Sequence, residues 1–96
     1  MSNYTIRVEL YGNASEDVYK RLHEAMLKSN FHRTLVENGI SYELPHAEYL
    51  TTNRAETTVG IRDKVKLVTA PIWKDFCVLV TNTNSRWEYY NLKPVK

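Results

Sequence analysis

One amphipathic stretch, residues 13 to 31, constrains the fold of this chain more than any other. Asn13 or Ser15 can cap its start, and Phe31 restarts an extended pattern at its end. A helix of about 15 residues spans about 22 Å, enough to cross a small sheet. The residues that share one stripe of this helix, at three- and four-residue spacing, are Val18, Leu22, Ala25, Met26 and Ser29. This stripe must be buried against another element.

The composition fits one globular domain that spans residues 1–96, with 43% hydrophobic and 25% charged residues. Thirteen Lys and Arg against eleven Asp and Glu give a formal charge of +2, too small to argue alone for a nucleic-acid or membrane partner. No apolar run approaches about 18 residues, and the N-terminus lacks the pattern of a signal peptide. The single cysteine, Cys77, lies in an apolar run. We therefore expect a cytoplasmic protein with no membrane partner and with a buried thiol.

Alternating apolar residues predict the first strand, and Asn38-Gly39 predicts a hairpin between residues 31–37 and 40–44. Pro45 interrupts the returning strand, and residues 47–52 are either its continuation after a bulge or a separate strand. The apolar residues of the first strand are Tyr4, Ile6, Val8 and Leu10.

A second helix begins after a cap at Thr52 or Asn53 and ends before Pro71. Residues 76–83 then read as a buried strand, and a turn leads to a last strand over residues 86–92 with a loose tail. The stripe of the second helix is formed by Thr58, Ile61, Val65 and Val68.

This order predicts an α+β fold, a ferredoxin-like βαββαβ sandwich with an antiparallel sheet, two helices on one face and a further C-terminal strand. The other face of the sheet would be polar and either wet or in contact with a partner. The aromatic residues Trp87, Tyr89 and Tyr90 either close the core or pair the C-terminal strand with its copy in a homodimer.

The three histidines, His23, His32 and His46, show no metal-ligand spacing, and three scattered glycines form no phosphate loop, so we expect no metal and no cofactor. The basic and histidine residues around the first helix can instead hold a phosphate and transfer a proton. Metal-free RNA cleavage needs this chemistry, because the 2′-hydroxyl loses a proton and the leaving 5′-oxygen gains one. The alternative is a solvated helix face with surface histidines.

Several segments resemble the GhoS-type (type V) antitoxin family, whose members are small ferredoxin-like proteins related in fold to CRISPR-associated nucleases. They are YTIRVEL in the first strand, RLHEAMLKSNF at the helix end, GISYEL after the hairpin and AEYLTTNRAETTVGIRDKV, and together they cover most of residues 4–68. The resemblance implies an endoribonuclease that acts as an antitoxin by cutting the messenger RNA of a small membrane toxin. The family carries arginine at the position of His23 and aspartate at that of Glu9, while Arg21 keeps its basic character.

The first hypothesis is therefore a ribonuclease with three catalytic residues: His23, Arg21 and Glu9. Its RNA-binding residues would be Arg7, Tyr11, Lys20, Lys28, His32 and Arg33. The second hypothesis is a non-catalytic RNA-binding or protein-interaction module of the same fold, with Tyr11 as the aromatic of the open sheet face. The third is a structural dimerisation domain whose surface charge only keeps it soluble.

Overall fold

The computed structural model describes residues 1–83 and 88–95 and shows a small α+β fold. Its elements in chain order are β1 (Ser2–Leu10), α1 (Glu16–Lys28), β2 (Thr34–Glu37), β3 (Ile40–Glu43), β4 (Glu48–Arg54), α2 (Thr58–Thr69) and β5 (Phe76–Asn82). The order is βαβββαβ, because Pro45 separates β3 from β4. Of the two arrangements that the sequence left open around Pro45, the separate strand is the one that forms.

Both helices begin at a side-chain cap. The Ser15 hydroxyl accepts a hydrogen bond from the Val18 amide at 3.4 Å, so Ser15 rather than Asn13 caps α1. Thr57 caps α2 through the Gly60 amide at 3.1 Å. The predicted caps at Thr52 and Asn53 are wrong, because β4 continues through both residues as far as Arg54, which pairs with Ser2.

The main sheet has three antiparallel strands in the order β4-β1-β5. One face of β1 packs against both helices, because its alternate side chains share a single core cluster with residues of α1 and α2. The fully buried members of that cluster from the two helices are Leu22, Met26, Ile61 and Val65. The predicted stripe of α1 is therefore confirmed at its centre.

The β2-β3 hairpin forms a separate two-stranded sheet that turns at Asn38 and Gly39, both with positive φ (52° and 77°). An isolated antiparallel bridge between His32 and Leu50 joins the base of this hairpin to β4. The antiparallel arrangement is compatible with a ferredoxin-like fold. A second, smaller apolar cluster lies under the hairpin and consists of Leu35, Leu44 and Leu50, with Tyr42 and Leu92 against it.

The C-terminal segment differs from its prediction. Residues 88–92 form no strand, and the start of the predicted strand, with Trp87, lies outside the described residues. The predicted loose tail is instead bonded to β3: the Glu43 amide donates to the Lys93 carbonyl and the Val95 amide to the Ser41 carbonyl, both at 2.8 Å. The apolar side chain of Leu92 also packs this segment against the small cluster under the hairpin.

Cys77 is exposed, so the predicted buried thiol is wrong. Alternation along β5 explains the difference, because Cys77 pairs with Glu9 on the face of the sheet that carries no helix, while Val78 and Val80 turn towards the core. Among the described residues, no helix is both long and apolar enough to cross a membrane.

Candidate functional site

Four rings meet where α1 faces β4 and the turn before it. We call Tyr19, His23, His46 and Tyr49 the histidine cluster. The Tyr19 and His46 ring centroids are 4.5 Å apart, those of His23 and Tyr49 are 5.6 Å apart, and those of the two histidines are 6.4 Å apart. Two imidazole side chains therefore lie side by side in this cluster.

The tyrosines fix the cluster to the core. Tyr49 is fully buried, and its hydroxyl is hydrogen-bonded to Nδ1 of His23 at 2.5 Å. The Tyr19 hydroxyl accepts a hydrogen bond from the Leu10 amide at 3.0 Å, at the end of β1. Tyr19 and His23 are four residues apart on α1 and so lie on the same side of the helix. The orientation of the His23 ring is thus set by a buried partner rather than by solvent.

Arg33 holds the turn that carries His46. Its Nη1 atom donates hydrogen bonds to the carbonyls of Pro45 and Glu48, each at 2.7 Å. Between them Ala47 is buried and has a positive φ of 58°, a conformation that costs about 1–2 kcal/mol for a residue with a Cβ. Backbone strain of this kind persists only where its surroundings over-determine it, and it clusters at functional sites. This strained turn places the exposed His46 beside Tyr19.

The cluster is uncharged at neutral pH on its buried side. Burial, together with the charges of Arg33 and His46, lowers the pKa of His23 from 6.5 to about 4. Burial also raises the pKa of the Tyr49 hydroxyl. His23 is therefore a neutral imidazole and Tyr49 a neutral phenol, with one hydrogen bond between them.

A groove of about 300 Å³ opens beside the cluster, along the side of α1 that faces β2. His23, His32 and Arg33 line it together with one carboxylate, that of Glu24, and Phe31 is among its apolar residues. The Arg33 guanidinium carbon lies 5.9 Å from the Tyr49 ring centroid, so a fixed positive charge sits next to the histidine cluster. This groove brings together three of the residues that the sequence singled out.

The remaining candidates lie elsewhere. Arg21 and Lys20 are exposed on α1, and the two-residue step from Arg21 to His23 is a rotation of about 200° around the helix axis. Arg21 and His23 therefore do not converge on one substrate atom. Lys28 lies at the end of α1, in a polar cleft that His32 also lines.

Three candidates lie on or near β1 and away from His23. Arg7 and Glu9 are on the sheet face that carries no helix, where Arg7 is 4.0 Å from the Glu48 carboxylate. Tyr11 follows β1 and is exposed, and a hydrogen bond with Cys77 raises the pKa of its hydroxyl. Glu9 and His23 are thus on opposite sides of the sheet, because His23 packs on the core side through Tyr49.

Sequence reasoning did not find Tyr19, His46 and Tyr49 as site residues. One signal was present, since Tyr19 and His23 stand at the four-residue spacing of neighbours on a helix. The approach of His46 depends on the left-handed turn at Ala47, which no periodicity encodes.

Within residues 1–83 and 88–95, no group of three or more His, Cys, Asp or Glu side chains is placed to hold a metal ion. Comparison with protein-family models and with curated proteins finds no match to this chain.

Proposed function

We propose that this chain is an endoribonuclease that cleaves single RNA linkages by metal-independent acid and base chemistry at the histidine cluster. The observation that carries the proposal is the pair of histidines, His23 and His46, with ring centroids 6.4 Å apart beside an arginine. RNA cleavage through the 2′-hydroxyl is accelerated by a group that takes a proton, a group that gives one and a cation that faces the phosphorane charge, and this cluster offers a candidate for each.

In this mechanism His23 is the base. Its lowered pKa keeps the imidazole neutral at physiological pH, so it has a lone pair available for the proton of the 2′-hydroxyl. This role requires that Nδ1 carries the ring proton and donates it to the Tyr49 oxygen, which leaves Nε2 as the acceptor. Tyr49 then orients the ring in the way that a buried partner orients other catalytic histidines.

His46 and Arg33 complete the reaction. His46 is exposed and, in its protonated form, donates its own proton to the leaving 5′-oxygen, while His23 keeps the proton of the 2′-hydroxyl. Arg33 uses Nη1 for both of its backbone hydrogen bonds, so Nη2 and Nε remain to face the negative charge of the phosphorane. The reaction breaks the P–O5′ bond, forms the P–O2′ bond and leaves a 2′,3′-cyclic phosphate.

The biological setting of the proposal comes from the resemblance of residues 4–68 to the GhoS-type antitoxins. We propose a ferredoxin-like fold and a role in a toxin-antitoxin system, with the messenger RNA of a toxin as substrate. The proposed catalytic residues are therefore His23, Arg33 and His46. Arg33 and His46, which lie beside His23, replace the predicted Arg21 and Glu9, which lie away from it.

The test is a cleavage assay with purified protein, labelled single-stranded RNA and a chelator. The protein should cut the RNA, the 5′ product should end in a 2′,3′-cyclic phosphate, and a single 2′-deoxy substitution at the cut site should abolish cutting there. His46→Gln should slow cutting by about 10²-fold or more, since a lost acid or base typically has this effect. RNA that stays intact under all conditions would refute the proposal.

A non-catalytic RNA-binding module is the second candidate. The half-buried ring of His23, bonded to a fully buried tyrosine, is also what a structural histidine looks like. In that case RNA and its uncleavable 2′-O-methyl analogue should bind equally well, with a steep salt dependence and no product.

The sequence places the homodimer contact on a C-terminal strand over residues 86–92, but residues 88–92 form no strand, so a dimer would need another edge, such as that of β5. Within the described residues β5 pairs only with β1, and it exposes Leu79 on its outer face. We propose that two copies pair along β5, which light scattering tests, with Leu79→Lys as the variant expected to favour the monomer.

A further inference from the structure

A polar cleft of about 610 Å³ lies between the end of α1, the segment that follows β4 and the first turns of α2. Its charged lining consists of Lys28, Arg54, Lys64 and Glu56, together with His32. Three cations against one carboxylate leave a surplus of two positive charges, as large as the formal charge of the whole chain. The chain as a whole is therefore nearly neutral, but this cleft is locally positive.

The floor of this cleft is built from buried polar contacts. The Arg54 side chain is only 10% exposed, and it binds both Glu56 carboxylate oxygens at 2.8 and 3.1 Å and the Ser29 carbonyl at 3.0 Å. The guanidinium carbon also lies 4.9 Å from the Phe31 ring centroid. Because Arg54 hydrogen-bonds Glu56 and lowers its pKa, the carboxylate stays ionised and is neutralised within the floor.

The lysines above this floor remain accessible. Lys64 is 46% exposed and lies 3.6 Å from a Glu56 oxygen that Arg54 already holds, while Lys28 is exposed at the last turn of α1. Exposed lysines on a rigid floor neutralise phosphate as point charges. The cleft thus offers two cations to a polyanion.

His32 connects this cleft to the histidine cluster. Its exposed side chain lines both the polar cleft and the groove that His23 and Arg33 share. Histidine is one of the rings on which unpaired RNA bases stack. Building on the proposed function, we propose that a single RNA strand lays its backbone across Lys28 and Lys64, stacks a base on His32 and presents the next linkage to His23 and His46.

The geometry selects a single strand over a duplex. The path turns around the end of α1 from one groove into another, which a flexible strand can follow. A rigid A-form helix is recognised by its shape across successive minor grooves, and this local, bent path does not offer such a surface.

The test measures binding of a labelled 2′-O-methyl oligoribonucleotide, which the protein cannot cut, at several salt concentrations. The variant pair Lys28→Gln with Lys64→Gln should weaken binding about tenfold at low salt and make the slope of log K against log salt less negative by about 1.4. The matched pair Lys66→Gln with Lys74→Gln removes the same charge from exposed positions elsewhere and should leave the slope unchanged. His32→Ala should weaken binding, and His32→Phe should restore it.

Equal effects of the two lysine pairs, absence of binding, or equally strong competition by an RNA duplex would each overturn this inference. Cleavage that depends on His23 and His46 but not on the cleft lysines would overturn it and leave the proposed function standing. Binding that depends on the cleft lysines, without any cleavage, would refute the proposed function and leave the cleft as an RNA-binding site.

Discussion

The two flanks of α1 carry similar residue types and have opposite physical environments. On the flank towards β4, His23 is half buried, bonded to Tyr49 and kept neutral by burial and by Arg33. On the solvent flank, Arg21 and Lys20 are exposed. The flanks are separated by about half a turn of helix, although Arg21 and His23 are only two residues apart.

This difference teaches that a basic run on a helix is not one site. Burial and a fixed partner change the protonation and orientation of a side chain, whereas exposed cations keep their charge and their rotamer freedom. We expect chemistry from the flank that β4 covers and only weak, salt-screened attraction from the other.

The largest expected effect is on cleavage. His23→Ala should slow RNA cutting by about 10² to 10⁴-fold, because it removes the proposed base. Arg21→Ala should change the rate by less than about threefold, since its charge is exposed and screened. The measurement is the single-turnover rate in a chelator with both variants confirmed as folded by circular dichroism. A larger loss with Arg21→Ala than with His23→Ala would break the comparison.

The next effect is on stability. Arg33→Met removes two charge-assisted hydrogen bonds to the Pro45 and Glu48 carbonyls, and we expect the free energy of unfolding to fall by about 2–3 kcal/mol. Arg21→Met is the matched control on the solvent flank and should stay within about 0.5 kcal/mol of the natural chain. Urea unfolding measures both free energies. Equal losses of unfolding free energy in the two variants would mean that the Arg33 hydrogen bonds do not stabilise the turn at residues 45–48.

The pH dependence of stability follows from His23. Its pKa is about 4 in the folded protein, against 6.5 for an unperturbed histidine side chain, so the unfolded chain binds more protons between these limits. The stability from the neutral ring is complete above pH 6.5 and is lost as pH falls towards 4. Because the ring is half exposed, we expect a loss of about 1–2 kcal/mol rather than the full value of the shift.

The control for this pH effect is His23→Gln, which keeps a polar side chain that does not titrate. The difference between the two unfolding curves isolates His23 from the carboxylates that titrate in the same range. A constant difference from pH 7 to pH 4 would contradict the lowered pKa.

The smallest effect comes from the partner of His23. Tyr49→Phe keeps the buried ring and removes only its hydroxyl, so unfolding should be easier by about 1 kcal/mol. The His23 Nδ1 resonance in a nitrogen-15 spectrum should shift at the same time. Tyr90→Phe, at a residue that is 93% exposed, is the control and should move neither quantity.

Sequence periodicity was sufficient to predict those elements whose structure depends mainly on their own residues. From Tyr4 to Leu10 the strand β1 alternates between buried and more exposed positions, and α1 shows its stripe at helical spacing, so both were predictable. The hairpin at Asn38-Gly39 followed from the tolerance of both residues for positive φ.

Long-range contacts decided what periodicity could not. The tail from Lys93 to Val95 is held by backbone hydrogen bonds to β3, a strand that lies some fifty residues earlier in the chain. The apolar run around Cys77 predicts a buried thiol, but Cys77 is exposed because it lies on the face of the sheet that the helices do not cover. His46 lies beside Tyr19 in a turn that has a positive φ at Ala47 and whose Pro45 carbonyl is bound by Arg33. These features depend on register and on single backbone angles, which composition does not encode.

A double-mutant cycle on His23 and His46 tests the central claim most directly. Single-turnover cleavage of one RNA in a chelator is measured for the natural chain, His23→Gln, His46→Gln and the double variant. Residues that act as one catalytic unit are strongly non-additive, so the double variant should cut about as slowly as the slower single variant. Losses that multiply, or a rate unchanged by either substitution, would contradict an acid and base pair at this cluster.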